Sequence, residues 1–369
     1  MKIPFVDLKA QNESFKEEFL QATNKLIDNN SFILGQEVKL FESEFAKFCN
    51  ASFCVGCSSG SAALYIALKC LGIKSGDEVI TVPNTFIATT QAITLCGGKI
   101  IFVDVDKETH LMKVNKLEEA ITSKTKVILP VHLHGQVCDM KLIMQIAKKY
   151  DLRVLEDACQ AHGAEYFSKK SPIGDTAVYS FYPSKNLGTL GDSGAIVTND
   201  KNLFDKSFAF RDYGRMKGEK YILKKEGFNL RMNSLQAAFL NIKLKYLDDW
   251  NDKRRKNAKL YNKFLKNVVI TPTEKKQRKH VYYVYVIMTD RRDELKKFLL
   301  SKNIDTRIHF PIPIYSQPLY KNLEFDKKDF PNTEILSRNS LSLPMFPELT
   351  KEKIMCVCKH IKKFYSHNA

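Results

Sequence analysis

The sequence predicts an α/β protein with a mostly parallel sheet in a large domain and a smaller α/β domain at the C-terminal end. From about residue 53 to residue 198, apolar runs rich in Val, Ile and Leu alternate with helical segments. Continuous apolar strands of this kind are typical of a parallel sheet that helices cover on both faces. The chain has 369 residues, too many for one small core, so two domains are expected.

The elements of the large domain can be placed from residue patterns. Residues 12–49 carry apolar side chains at a spacing of three to four, which predicts helices. The predicted strands are FCVG, DEVITVP, KIIFVDVD, KVILPVHLHG, LRVLEDA, TAVYSFYPS and GAIVTND. Three further helices are predicted between them, in CSSGSAALYIALKCLGI, TFIATTQAITLCG and MKLIMQIAKKY.

A long basic helix near 252–266 predicts the bridge to the second domain, so we divide the chain into residues 1–250 and 251–369. In the second domain VYYVYVIM and DTRIHF are predicted strands, and RDELKKFLLSKN is a predicted helix. Further helices are expected near 333–342 and 350–365. Thr350 is the expected N-cap of the last one, because its hydroxyl can accept a backbone N–H.

The chain is basic, with 58 Lys and Arg against 41 Asp and Glu and a formal net charge of +17. Such a balance suits nucleic acid, an anionic membrane or an acidic small molecule. The lysines are spread along the chain, which favours a solvated basic surface, and we expect neither nucleic acid nor a membrane as a partner.

The nine cysteines give no metal pattern, because the pair Cys54 and Cys57 is followed by no second Cys or His cluster at metal spacing. Buried free thiols in a reducing compartment are therefore predicted, and no metal. The N-terminal segment lacks a signal-peptide core, and the chain has no apolar run of about 18 residues. A cytoplasmic protein is expected.

Polar residues follow several predicted strands, and ligands of open α/β sheets gather at the carboxyl ends of strands. In CSSGSAAL, Gly60 and Ser61 open a helix whose N–H groups either bind an anion or form an ordinary cap. Asp157 ends the strand in RVLEDACQAHGA, where an acid either caps the next turn or faces a ligand. Its neighbour Glu156 should point to the opposite face.

Lys185 lies among small residues in YSFYPSKNLGTLGDSGAIV, with no acidic residue within four positions. A lysine amine in a partly dry site is a nucleophile, whereas most lysines of this chain have charged neighbours. Ser180 precedes it, and Phe86 follows another strand. A helix N-terminus, a lysine, a carboxylate and an aromatic face are together what pyridoxal phosphate requires.

The residues at this point resemble a known family, the DegT/DnrJ/EryC1/StrS sugar aminotransferases of the fold-type I, aspartate-aminotransferase-like class. The resemblance covers almost the whole chain through PFVDLKAQ, SGSAAL, PNTFIATTQAI, FVDVD, HLHGQVCDM, EDACQAHGA, SFYPSKNLGTLGDSGAIVTND and GFNLRMNSLQAA. It implies a large domain with a seven-stranded, mostly parallel sheet, bound pyridoxal 5'-phosphate, and transamination, since some relatives with histidine in place of the lysine catalyse dehydration.

The resemblance also implies roles for single residues. Lys185 resembles the lysine that forms an imine with the cofactor, Asp157 the partner of the pyridine nitrogen, and Gln160 the contact of the phenolic oxygen. Phe86 occupies the ring-stacking position. The implied phosphate ligands are Gly60, Ser61, Ser180 and, in the neighbouring subunit's site, Asn229. A homodimer with sites built from both subunits is implied.

Tyr182 and His309, with EDACQAHGA, look like residues of enzymes that aminate C3 of a dTDP-3-keto-6-deoxyhexose with nitrogen from L-glutamate, for surface glycans. Phe310 stands where a tyrosine is common in those relatives. Arg211, Arg215 and Lys217 are candidates for the nucleotide phosphates, or else belong to a solvated loop. Two alternatives remain: amination at C4 of a UDP- or dTDP-4-keto sugar, and a basic regulatory or nucleic-acid-binding protein.

Overall fold

The computed structural model describes residues 2–215, 221, 223 and 225–366. The helices are α1 (Leu8–Glu13), α2 (Lys16–Asp28), α3 (Gln36–Phe48), α4 (Gly60–Cys70), α5 (Ile87–Leu95), α6 (Met140–Lys149), α7 (Lys201–Phe210), α8 (Ser234–Leu244), α9 (Leu247–Leu265), α10 (Arg292–Ser301), α11 (Pro331–Asn339) and α12 (Lys351–Ser366). The strands are β1 (Phe53–Cys57), β2 (Glu78–Thr81), β3 (Lys99–Phe102), β4 (Thr125–Ile128), β5 (Arg153–Asp157), β6 (Glu165–Tyr166), β7 (Lys169–Lys170), β8 (Thr176–Ser180), β9 (Gly194–Thr198), β10 (Arg278–Lys279), β11 (Tyr285–Met288) and β12 (Ser340–Leu343).

A seven-stranded sheet forms the centre of the large domain, in the order β1-β9-β8-β5-β4-β2-β3. Strand β9 runs antiparallel to both of its neighbours, and the other pairings are parallel. All residues of β2 and β9 are buried, as expected for strands with helices on both faces. The predicted α/β fold with a mostly parallel sheet is therefore confirmed.

Aromatic side chains join the α3 helix to the sheet. Phe41 and Phe45 are one turn apart on α3 and are fully buried. The ring of Phe45 meets those of Tyr179 and Phe181 edge to face, with centroids 5.0 and 5.1 Å apart. Burying each phenylalanine contributes about 2 kcal/mol, and the edge-to-face geometry adds to that. This packing anchors the segment that leads from β8 into the Lys185 loop.

The small domain has its own apolar core between the antiparallel pair β11–β12 and helices α9, α10 and α12. Ile3 packs into that core, whereas Val281 and Ile314 belong to the core of the large domain. Helix α9 crosses the boundary expected at residue 250. Single segments from each part thus pack with the other part. The division into 1–250 and 251–369 remains a prediction.

Two expectations for the small domain are wrong. Residues 305–310 form no strand and make one bridge, between Arg307 and Ser342. The helix expected at 333–342 is α11, which ends at Asn339. Residues 340–343 form strand β12 instead. The alternating SLSL sequence pairs with β11, and that pairing outweighs the local helical pattern. The Oγ1 atom of Thr350 accepts the N–H of Lys353 at 3.4 Å, so the predicted N-cap is confirmed.

All nine cysteines are free thiols. Burial raises the pKa of Cys49 and Cys57 to about 12, so these thiols are protonated at neutral pH. Within the described part of the chain, no group of three His, Cys, Asp or Glu side chains is arranged to hold a metal. No helix in the described ranges has both the length and the apolar character needed to cross a bilayer.

Candidate active site

A cleft of about 810 Å³ opens at the carboxyl ends of β1, β2, β5 and β8. Its inner wall, as we call it, consists of residues at the sheet edge and in the helices and loops that follow the strands: Gly60, Thr89, Asp157, Gln160 and Lys185. Its outer wall comes from the C-terminal part of the chain: Ile308, Phe310, Pro311, Ile312 and Ile314. The position agrees with the rule that open α/β sheets bind ligands at the carboxyl ends of strands.

The N-terminus of α4 forms one end of the cleft. Ser59 caps the helix, with its Oγ atom accepting the N–H of Ala62 at 3.0 Å. Gly60 lies so close to β8 that a Cβ atom there would sit 2.6 Å from the Cβ of Ser180, and one at Gly194 would sit 2.3 Å from the carbonyl oxygen of Ser59. Glycine at both positions therefore lets the first N–H groups of α4 approach Ser180. Such a terminus favours an anion.

A carboxylate held by hydrogen bonds lies on the inner wall. The Oδ2 atom of Asp157 accepts the hydroxyl of Thr89 at 2.8 Å, and its Oδ1 atom accepts the N–H of Cys159 at 3.2 Å. The hydroxyl groups of Thr89 and Thr85 are 2.9 Å apart. The Asp157 side chain is buried yet lines the cleft. It is thus fixed in one orientation, with its negative charge available to a ligand.

Glu156 points to the opposite face of the sheet, as predicted. Its carboxylate is fully buried and lies 2.8 Å from Nε2 of His132. It also accepts the backbone N–H groups of Ile173 and Gly174. Alternation along β5 therefore gives two neighbouring acids different tasks, one within the fold and one at the cleft.

Gln160 is oriented by the backbone of a neighbouring loop. Its Oε1 atom accepts the N–H of His134 at 2.8 Å, and the side chain is buried at the edge of the cleft. Because the oxygen is engaged there, the amide N–H₂ group is the end that is left to donate to a ligand. This orientation suits an anionic oxygen on the ligand.

Lys185 is half-buried and lines the cleft. Its Nζ atom lies 4.4 Å from the centre of the Tyr283 ring, over the ring face. The hydroxyl of Tyr283 is 3.4 Å from Oγ of Ser184. Burial alone would raise the pKa of Tyr283, but the charge of Lys185, the hydrogen bond to Ser184, the charge of Arg254 and a hydrogen bond with Lys185 together hold it below its ordinary value.

These residues fit pyridoxal phosphate. The α4 terminus and Ser180 offer N–H and hydroxyl groups to a phosphate, and Asp157 offers a carboxylate to a cationic ring nitrogen. Lys185 offers an amine to an aldehyde. Phe86 lines the cleft with 57% of its side chain exposed, and so presents an apolar face to a flat ring.

On the outer side of the cleft, Tyr182 is 53% exposed and His309 is half-buried, and both line it. The Nδ1 atom of His309 lies 2.7 Å from Oγ of Ser342. Burial, with the charges of Lys185 and Arg307, lowers the pKa of His309 to about 4, so its ring is neutral at pH 7. A neutral imidazole can accept a hydrogen bond from a sugar hydroxyl or donate one to it.

The two candidates for phosphate-binding cations that the structure describes, Arg211 and Arg215, do not line the cleft. Arg211 is 2% exposed, pairs with Glu42 and donates to the carbonyl of Gly56 at 2.7 Å. Its guanidinium is thus committed inside the large domain, which corrects the expectation that it binds nucleotide phosphates. Arg215 pairs with Asp212 at 3.1 Å and is not part of the lining. The third candidate, Lys217, lies outside the described residues.

Asn229 also lies away from the cleft of its own chain. It is exposed and its Oδ1 atom accepts from Nε of Arg231 at 3.0 Å. Its expected role concerns a neighbouring subunit, and that role remains a prediction.

The structure adds residues that sequence reasoning missed. Thr85, Thr89, Ser184, Tyr283 and Gln317 all line the cleft. Thr89 lies 68 positions before Asp157, and Tyr283 lies almost 100 positions after Lys185, so no local spacing links them. Their one sequence signal is a polar or aromatic residue in an apolar segment, which ordinary packing explains equally well.

Comparison with known proteins decides the family. The model of the DegT/DnrJ/EryC1/StrS aminotransferase family matches residues 13–362. The chain belongs to this family. It is therefore an aminotransferase, and pyridoxal phosphate, which the cleft residues fit, is its cofactor.

Relatives of this family member differ in their described activities. A pleiotropic regulatory protein of Geobacillus stearothermophilus is 41% identical, over 100% of both chains. The dTDP-3-amino-3,6-dideoxy-α-D-galactopyranose transaminase of Aneurinibacillus thermoaerophilus is 42% identical, over 98% of this chain and 99% of that one. A UDP-N-acetyl-3-dehydro-α-D-glucosamine 3-aminotransferase of Acidithiobacillus ferrooxidans is 38% identical, over 98% and 97%. The relatives thus include enzymes of dTDP- and UDP-linked sugars.

Solved structures of the same family share the fold closely. DesV of S. venezuelae, in complex with a ketimine intermediate, superimposes with a TM-score of 0.96 at 36% identity, over 98% of both chains. NtdA of Bacillus subtilis, with bound cofactor PMP, has a TM-score of 0.91 at 31% identity, over 98% of this chain and 85% of that one. The predicted fold-type I architecture is confirmed by this likeness.

Proposed function

We propose that this aminotransferase moves an amino group from L-glutamate to C3 of a dTDP-3-keto-6-deoxyhexose. The observation that carries the proposal is the 42% identity, over nearly the full length of both chains, with a dTDP-3-amino-3,6-dideoxygalactose transaminase. The UDP-sugar enzyme of 38% identity is named for amination at the same carbon. These relatives therefore support amination at C3 more strongly than they support a particular nucleotide. Amination at C4 is the alternative to be tested.

Lys185 is the proposed catalytic residue. When bound, pyridoxal phosphate supplies an electron-withdrawing ring and an aldehyde that accepts the amine. The Nζ atom of Lys185 then takes the α-proton of glutamate, and in the second half-reaction it returns a proton to C3 of the sugar. Asp157 holds negative charge beside the ring nitrogen, and Gln160 donates its amide to the phenolic oxygen.

The outer wall supports a 6-deoxy sugar. Ile308, Phe310, Pro311 and Ile312 give this side of the cleft an apolar surface, against which a methyl group packs well. A carboxylate or hydroxymethyl group at C6 would lose water there without gaining a partner from these four residues. Tyr182 and His309 are the proposed hydrogen-bonding contacts of the sugar ring. The net charge of +17 favours the approach of a diphosphate.

Borohydride reduction tests the lysine assignment. Reduction of the purified enzyme fixes the cofactor on its lysine, and digestion with mass spectrometry identifies the modified peptide. We expect the added mass on Lys185. A reduced cofactor on another lysine would reject the assignment.

A panel of nucleotide sugars tests the substrate. The enzyme, with L-glutamate, is offered dTDP- and UDP-linked 3-keto and 4-keto 6-deoxyhexoses, and the position of the new amine is determined by NMR. We expect turnover of the dTDP-3-keto sugar with nitrogen on C3. Turnover of the 4-keto isomer alone would establish the C4 alternative.

We propose in addition a homodimer in which Asn229 of each subunit reaches the phosphate of the other site. Asn229 is exposed and lies outside its own cleft, and its neighbour Phe228 is 59% exposed. Hybrid dimers test this idea. A Lys185→Ala subunit paired with an Asn229→Ala subunit has one intact site if the sites are shared, so mixing two impaired variants should restore activity. A mixture no more active than the better variant alone would contradict the shared site.

A further inference from the structure

We propose that the ring of Tyr283 is the docking place of the Lys185 amine whenever that amine is not bonded to the cofactor. The inference rests on the proposed role of Lys185 as the cofactor lysine. It makes Tyr283 a positioning residue for the proton transfers of both half-reactions.

The geometry of the amine carries the proposal. The Nζ atom of Lys185 lies 4.4 Å from the ring centre of Tyr283, well within the reach of a cation–π contact. Among the residues that the structure describes, Lys185 forms no ion pair with a carboxylate. Tyr283, whose ring face lies under the amine and whose hydroxyl group also interacts with it, is thus the residue that holds the amine inside the cleft.

Tyr283, whose ring lies under the Lys185 amine, is held by contacts on several sides. The N–H of Tyr283 donates to the carbonyl of His134 at 3.0 Å. Its carbonyl accepts from Nη1 of Arg254 at 3.3 Å, and its hydroxyl lies 3.4 Å from Oγ of Ser184. A Cβ atom at Gly135 would come within 3.1 Å of the Tyr283 backbone nitrogen, so the two segments are in close contact.

This arrangement solves a problem of the reaction. The lysine must leave the cofactor during each half-reaction, yet must stay near the carbon whose proton it moves. A carboxylate would hold the ammonium group tightly and make it a poor base. A ring face holds the amine more weakly than a carboxylate would. The amine is kept in place and can still lose its proton.

The test uses enzyme loaded with pyridoxamine phosphate, in which Lys185 is not bonded to the cofactor. Competitive acetylation at pH 7, followed by mass spectrometry, gives the labelling rate of Lys185 relative to exposed Lys201 in the same sample. We expect Tyr283→Phe, which keeps the ring, to label within twofold of wild type. Tyr283→Leu should label about threefold to thirtyfold faster, because the amine is no longer held against the ring and meets the reagent more often.

Half-reaction kinetics give a second readout. Tyr283→Leu should lower the maximal rate of the glutamate half-reaction about fivefold, with KM changed less than twofold. Ser184→Ala removes the contact of Ser184 with the Tyr283 hydroxyl. It should raise the labelling rate of Lys185 and lower the half-reaction rate, each by a smaller factor than Tyr283→Leu. If the leucine variant does not fold, Tyr283→Met provides a flexible non-aromatic replacement of similar length.

Two results would overturn the docking role. Labelling in Tyr283→Leu or Tyr283→Met equal to wild type would show that the ring does not hold the amine. A phenylalanine variant as altered as the leucine variant would assign the effect to the hydroxyl. Either result leaves the borohydride mapping of Lys185 untouched, so failure of the docking role is distinguishable from failure of the proposed function.

Discussion

The two walls of the cleft are built on different physical principles. On the inner wall, Asp157 and Gln160 are buried and each is held by hydrogen bonds to Thr89 or to the His134 backbone. On the outer wall, side chains such as Ile312, which is 49% exposed, are apolar. Fixed polar groups favour one ligand in one orientation, whereas an apolar surface selects by shape and adapts more easily. The inner wall thus suits a cofactor common to the family, and the outer wall suits a substrate that varies within it.

The difference predicts that inner-wall variants impair both half-reactions and that outer-wall variants impair only the sugar half-reaction. The largest effect is expected for Lys185→Ala, which removes the amine that moves the proton. Both half-reactions should slow at least about 10³-fold, measured by single-turnover absorbance changes. Lys201→Ala, at an exposed lysine on α7, is the control and should keep the wild-type rate. A Lys185→Ala enzyme within tenfold of wild type would contradict the catalytic role.

Asp157→Asn should have the next largest effect. The amide keeps the shape of the side chain but removes the negative charge beside the ring nitrogen. We expect both half-reactions to slow about 10²–10³-fold while the cofactor remains bound, as judged from its absorbance. A loss confined to the sugar half-reaction would place Asp157 at the substrate instead.

Thr89→Val tests whether the inner wall acts through its hydrogen bonds. It removes the 2.8 Å hydrogen bond to Asp157 at nearly constant volume. Hydrogen bonds to charged groups contribute about 1.5–3 kcal/mol, and we expect about a tenfold loss of rate in both half-reactions.

The neighbouring threonine gives a matched control. Thr90 is equally buried on α5, and its hydroxyl donates to the carbonyl of Ile87. Thr90→Val should therefore leave the rate within twofold of wild type. Equal effects of the two substitutions would show that packing in α5, rather than the contact with Asp157, sets the rate.

The residues of the cleft also differ in how far the sequence predicts them. Asp157 ends a strand, and a period of two together with the carboxyl end of a strand fixes which way its side chain points. Lys185 is predicted from its loop of small residues without an acidic neighbour. Tyr283 and Thr89 meet their partners only through long-range packing, which no local pattern encodes. Residues 340–343 give a second example. The local pattern predicts a helix as far as residue 342, whereas long-range pairing with β11 makes these residues a strand.

Arg211 shows the limit of charge as a signal. The sequence around it, FRDYGRMKGEK, is typical of a basic surface loop and predicts either a phosphate ligand or a residue of a solvated loop. In the fold it is the largest of the fully buried side chains and neutralises Glu42. A buried charge is stable only with a partner, and that partner lies 169 positions away in α3. Sequence alone cannot distinguish such an internal cation from a ligand-binding one.

The smallest effect is expected on the outer wall, for Ile312→Ala. The truncation removes a few methyl and methylene groups, each of which contributes about 0.8 kcal/mol when fully buried against a ligand, and Ile312 is half exposed without one. We expect KM for the keto sugar to rise about threefold to tenfold, with the glutamate half-reaction unchanged. Leu95→Ala, at an exposed residue outside the cleft, is the control. Slowing of the glutamate half-reaction by Ile312→Ala would show that the walls are mechanically coupled, because a wall that only contacts the sugar has no means of affecting the first half-reaction.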